Sequence, residues 1–189
     1  MNQVITQKLM GVERKSEIGR KPYQIMVGGA AREGLGYFVA TDPLTGLINE
    51  TQALQIGDKL LAQLNKTHQP LSIALFIVSD LPHINKSYGE LVGDRILLTI
   101  AELLIRSIRI GDHCARVRES AFLVILPQTN IHGAQQTAHR IQTYANGQTV
   151  RTDRDPIHFT INFYIETNQA TDETFQELLT RAMDNSGIR

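Results

Sequence analysis

The chain has 189 residues, of which 42% are hydrophobic and 20% charged, with 19 basic and 19 acidic side chains and a formal net charge of zero. That balance excludes a general nucleic-acid-coating protein, whose affinity rests on an excess of cations. No apolar run reaches the roughly 18 residues that cross a bilayer, and the N-terminus lacks the apolar stretch of a signal peptide.

The single cysteine, Cys114, can make no internal disulfide, and the six scattered histidines lack the spacing of a zinc motif. A reducing, cytoplasmic setting is expected. Residues 1–40 read as an arm or linker, polar and basic around Arg14, Lys15, Arg20 and Lys21, which is the composition of a solvated tail. Its glycine-rich stretch VGGAAREGLG fits neither phosphate-cradling pattern.

From Thr41 the chain becomes regular. TDPLTGLIN is turn chemistry. ETQALQIGDKLLAQLNK carries Leu54, Ile56, Leu60, Leu61 and Leu64 at helical spacing. LSIALFIVS is a continuous apolar run and predicts a buried strand, with Leu75, Phe76, Ile77 and Val78 in the sheet core. LPHINKSYGELVG reads as a polar connection with Tyr88 packed at the loop, and DRILLTIAELLIRSIR as a long amphipathic helix. CARV and AFLVILP form a hairpin whose turn holds no glycine, although tight hairpins favour residues tolerant of positive φ. IHGAQQTAHRIQTYA is a helix closed by Asn146-Gly147, IHFTINFYIE alternates as one strand, and TDETFQELLTRAMDN is a final helix with Asp172 and Glu173 suited to its N-terminus. The order predicts one α/β domain, a mixed sheet with an antiparallel component and helices covering it.

Two stretches then stand out together. TDPLTGLIN resembles the opening signature of GGDEF domains, the diguanylate cyclase family, and INKSYGELVGD resembles its second signature. Arg116 takes the place of the Arg that precedes the hallmark, and the hallmark Gly-Gly-Asp-Glu-Phe falls on Arg118, Glu119, Ser120, Ala121 and Phe122, where only Phe122 keeps the family residue. The resemblance spans about residues 41–185. It implies a cyclase-palm-like α/β fold over residues 41–189, a central mixed sheet flanked by helices, with the hairpin at the former active site.

Joining two GTP molecules needs divalent metal on carboxylates to neutralise phosphate and activate a hydroxyl. The resemblance places those carboxylates at Ile77 and Ser120, and the neighbouring acid at Ala121. It places a phosphate-side lysine at Pro82, and the late lysine of the last helix has no counterpart before Arg189. Asp80 and Glu119 are the acids that could in principle rebuild a metal site, the lesser reading because every element that handles phosphate or metal is replaced at once. The expectation is a catalytically inactive domain with no catalytic residue, no metal and no required cofactor. Asn85 and Asp94 match the family's guanine-contacting pair, a possible vestigial guanine site; a turn-holding Asn and a helix-start Asp describe them equally well.

Upstream lies Arg109-Ile-Gly-Asp112, an Arg-x-x-Asp in the register of the family's inhibitory site for cyclic di-GMP, and Arg140 falls where that site draws a further Arg. An Arg fork meets guanine O6 and N7, and a carboxylate can accept from guanine N–H groups. A cation closing a helix and an Asp in a turn are the bland alternatives. The reading is therefore a bacterial receptor for cyclic di-GMP as regulatory ligand, signalling through a protein partner or a second copy of itself. A ligand-independent adaptor is the alternative, and a residual cyclase or GTP-binding regulator is the last. Neither nucleic acid nor a membrane span is expected.

Overall fold

The computed structural model describes residues 40–152, 155–169 and 174–187. The expectations for the N-terminal arm and for Asp172 and Glu173 lie outside them. Five strands form the main sheet: β1 (Ile48–Asn49), β2 (Leu71–Ile77), β3 (His113–Arg118), β4 (Ala121–Pro127) and β7 (Asn162–Thr167), in the order β1-β3-β4-β2-β7. β1 runs parallel to β3 and the other neighbours are antiparallel. A separate two-stranded ribbon joins β5 (Thr149–Val150) to β6 (Ile157–His158). The expected mixed α/β architecture is present.

Every residue of β2 is buried, which is why its sequence reads as an unbroken apolar run: it is paired on both edges and covered on both faces. The helices are α1 (Glu50–Lys66), α2 (Leu81–Tyr88), α3 (Glu90–Ser107), α4 (Ile131–Asn146) and α5 (Phe175–Ser186). α1 starts where Asn49 accepts from the Gln52 N–H at 3.0 Å, and α4 where Asn130 accepts from the Gly133 N–H at 3.0 Å. α5 opens on a reciprocal capping box between Thr174 and Glu177. α1 packs against α5 and α3 against α4.

Three expectations need correction. The polar connection after β2 contains a helix, α2, with Pro82 in its first turn, where a missing N–H costs nothing. Only Leu81 and Ile84 of that helix are buried, so its periodic signal is weak. Tyr88 is not packed away but 49% exposed. IHFTINFYIE is two strands: Ile157–His158 pairs with β5, and Asn162–Thr167 crosses to β2. Between them the Ile161 N–H donates to Asn146 Oδ1 at 3.0 Å and its carbonyl accepts from Gln142 Nε2 at 2.8 Å, so α4 side chains take the bonds a strand partner would. Gly147 does follow α4, but with φ of −84° rather than in the left-handed cap conformation.

Candidate functional site

The hairpin between β3 and β4 turns over Glu119 and Ser120, with Arg118 opposite Ala121. Among the described non-glycine residues only His68 and Gln128 have positive φ, so neither turn residue needs glycine's freedom. The register instead shifts between Arg116 and Arg118, and this bulge supplies the twist that a mirror-image turn would otherwise provide. Ile77, at the end of β2, lies directly opposite Ala121, and both are buried. The Val78 N–H donates to the Ser120 carbonyl at 3.0 Å. Phe122 is fully buried opposite Phe76.

Two arginines fasten the turn. Arg118 pairs with Glu50 at the head of α1, donates to the Val117 carbonyl at 2.7 Å, and reaches Met183 Sδ on α5 at 3.8 Å. Arg116 donates to both Asp42 oxygens, at 3.1 and 3.3 Å, and to the Glu119 carbonyl at 2.7 Å. Asp42 also accepts from the N–H and hydroxyl of Thr45, at 2.8 and 2.6 Å. The opening TDPLTG turn is therefore bonded to the hairpin. Burial pushes the Asp42 carboxyl up, but the Thr45 bonds and the Arg116 guanidinium outweigh it and hold it below its ordinary value. The turn signal was readable in the sequence; its contact with Arg116 was not.

The second cluster sits beyond the C-terminus of α3. Gly111, at φ of +97°, turns the chain so that Asp112 faces back toward Arg109. Asp112 is 3% exposed, and its carboxylate accepts from the Arg109 N–H at 3.1 Å and from Arg109 Nε at 3.2 Å. Burial raises the Asp112 carboxyl against those bonds. The Arg109 side chain is 61% exposed, and its Nη2 donates to the Pro127 carbonyl at 2.8 Å and to Thr129 Oγ1 at 2.9 Å. Arg140 reaches across from α4 and donates to the Ser107 carbonyl at 2.8 Å, on the last residue of α3. Both cations thus lie around one helix C-terminus, where their charge complements the dipole.

His113, next to Asp112, has its Nδ1 buried without a hydrogen-bond partner among the described residues. Burial lowers its basicity, opposed by the Asp112 charge. The unfolded chain therefore takes up the proton first, and stability from this residue is lost as pH falls below the ordinary 6.5. Denaturant midpoints of wild type and His113→Leu, compared from pH 7.5 downward, should show the wild type losing more stability than the variant below about pH 6.5.

Asn85 and Asp94 lie on α2 and α3, and both are half-buried. Asn85 Oδ1 is buried without a hydrogen-bond partner among the described residues and packs on Gly93, where an added Cβ would stand 1.9 Å from it. This close approach brings Asn85 beside the residue preceding Asp94.

A match to the family model described as "Diguanylate cyclase, GGDEF domain" covers residues 39–186. Among curated proteins, the chain is 29% identical over 170 residues to the response regulator PleD of Caulobacter vibrioides, covering 89% of this chain and 37% of that protein. It is 30% identical over 142 residues to the diguanylate cyclase DgcP of Pseudomonas aeruginosa, covering 72% of this chain and 21% of that protein. The chain therefore spans well under half the length of these relatives. Among solved structures, the fold resembles the diguanylate cyclase SiaD in complex with its activator SiaC from Pseudomonas aeruginosa (TM-score 0.74, 23% identity, 95% of this chain and 68% of that one). It also resembles the GGDEF domain of DgcB from Caulobacter crescentus in complex with c-di-GMP (TM-score 0.73, 16% identity, 83% of this chain and 94% of that one). With the model match extending from the TDPLTG turn through α5, the chain belongs to the GGDEF domain family of diguanylate cyclases.

Proposed function

We propose that this GGDEF domain is a non-catalytic receptor for cyclic di-GMP that signals by protein association. The observation that carries the reading is the pair of arginines, Arg109 and Arg140, brought by two separate elements to the end of α3. Arg109 presents an exposed guanidinium held from behind by a buried carboxylate, so it needs little ordering to meet a guanine edge. Asp112 acts on the ligand through Arg109, because its own oxygens are turned inward. The absence of catalysis rests on Ile77, Ser120 and Ala121, which offer no carboxylate where the resemblance asks for metal ligands. The DgcB structure in complex with c-di-GMP and the SiaD–SiaC pair give precedents within the fold for such a ligand and for a protein partner.

One observation favours a second reading, a ligand-independent adaptor: Arg109 Nε and Nη2 already have partners in Asp112, Pro127 and Thr129. Titration calorimetry separates the two. Cyclic di-GMP should bind wild type, and both Arg109→Ala and Arg140→Ala should weaken it by at least about tenfold, the scale of a lost charge-assisted contact. The same wild-type protein should form no product from GTP with Mg²⁺ or Mn²⁺. Absence of binding to wild type leaves the adaptor, and turnover of GTP overturns the non-catalytic assignment.

A further inference from the structure

The loop between β4 and α4 joins Arg109 to the central strand of the sheet. Gln128 takes a φ of +51°, a left-handed conformation uncommon for a residue with a Cβ. Thr129, which follows it, has every polar group bonded. Its N–H donates to the Pro70 carbonyl at 3.2 Å, and its carbonyl accepts from Ser72 Oγ at 2.6 Å. Ser72 is fully buried in β2, so the loop is tied to the core. The Thr129 hydroxyl donates to the Pro127 carbonyl at 3.0 Å, which leaves its lone pairs to accept from Arg109 Nη2 at 2.9 Å.

The direction of that hydroxyl is fixed by packing. A β-branched side chain has few χ1 choices. The Thr129 methyl lies against Gly133 in the first turn of α4, where an added Cβ would stand 3.0 Å from it. The methyl therefore faces the helix and the hydroxyl faces Arg109. Arg109 is gripped at two of its three nitrogens, Nε by Asp112 and Nη2 by the Pro127 carbonyl and Thr129. Nη1 has no partner among the described residues. A bond at Nε alone would let the guanidinium swing about it; the second hold at Nη2 removes that freedom and leaves Nη1 as the donor offered to an incoming acceptor.

We propose, on the footing of the receptor reading, that Thr129 is a positioning residue of the cyclic di-GMP site: its hydroxyl aims Arg109 Nη1 at the guanine acceptors, and the bond from Ser72 keeps the loop in place to do so. Titration calorimetry of the full chain with cyclic di-GMP tests this with two substitutions that separate the hydroxyl from the methyl. Thr129→Val keeps the shape and loses the hydroxyl, and should weaken binding by about three- to tenfold, the scale of ordering one side chain. Thr129→Ser keeps the hydroxyl and should stay within about twofold of wild type. In an Arg109→Ala background Thr129→Val should weaken binding no further, because the hydroxyl acts through the arginine. The Arg109 Nε–H resonance of the free proteins, followed below the melting transition of each, should exchange slowly with solvent in wild type and Thr129→Ser and faster in Thr129→Val. Wild type that fails to bind overturns the receptor reading and this assignment with it. Where wild type binds, the assignment alone is overturned by a Thr129→Val that binds equally well, a Thr129→Ser as weak as Thr129→Val, a further loss in the Arg109→Ala background, or the same exchange rate in all three free proteins.

Discussion

Replacing Gly57 with alanine should destabilise the fold, although alanine is the better helix former. An added Cβ at position 57 would stand 2.1 Å from Phe175 Cγ and 2.2 Å from Cδ1, far inside any real contact. Phe175 is fully buried, and its backbone N–H is bonded to Asp58 Oδ1 at 2.8 Å, so the ring and the start of α5 are held against α1. The methyl can be accommodated only by moving the two helices apart. Overpacking of this kind costs about 1–3 kcal/mol or more, against a helix-propensity gain of about 1 kcal/mol. A net loss near the upper end is expected because a ring, not a flexible chain end, is in the way, which lowers the melting temperature by several degrees. Phe175→Ala alone should cost about 3–5 kcal/mol through the cavity it leaves. In that background Gly57→Ala should become neutral or stabilising, because the obstruction has gone. A Gly57→Ala effect of the same sign and size in both backgrounds would refute the packing account.

The same packing logic marks where sequence reading succeeds. β2 was legible because a strand paired on both edges and covered on both faces must be apolar throughout, and Leu71–Ile77 is. α1 was legible because its apolar spacing is long; its Asn49 cap became visible only in the structure. α2 was not, since eight residues with two buried positions give almost no periodic signal. The division of IHFTINFYIE was invisible locally: both halves alternate, and what separates them is the pair of α4 side chains that bind the Ile161 backbone. At the candidate site, the family resemblance set Arg109, Asp112 and Arg140 in one register. It could not show that Asp112 turns inward, because that depends on the backbone at Gly111.

Arg116→Ala should be the most damaging single change at the hairpin, and its effect should depend on pH. The Arg116 and Asp42 side chains are only 12% and 17% exposed, and they join segments 74 residues apart. Removing the arginine strips Asp42 of its charge partner and the Glu119 carbonyl of its donor. Breaking a fully buried pair costs about 3–5 kcal/mol; with some solvent access here, about 2 kcal/mol is expected. Asp42 is held below its ordinary value of 3.8 in the folded chain, so its stabilisation is present above that pH and is lost as pH falls through the lower, folded value. In the variant the Thr45 bonds remain but the guanidinium does not, so burial weighs more and the carboxyl moves up. The stability gap between wild type and variant should therefore stay level near neutral pH and narrow once pH drops below about 4, where Asp42 takes up its proton in both. Denaturant unfolding of the two proteins from pH 7 to pH 3 measures that gap directly. A gap that does not change over this range would mean that Arg116 supports the hairpin through its bond to the Glu119 carbonyl alone, and that the TDPLTG turn contributes no charge to the fold.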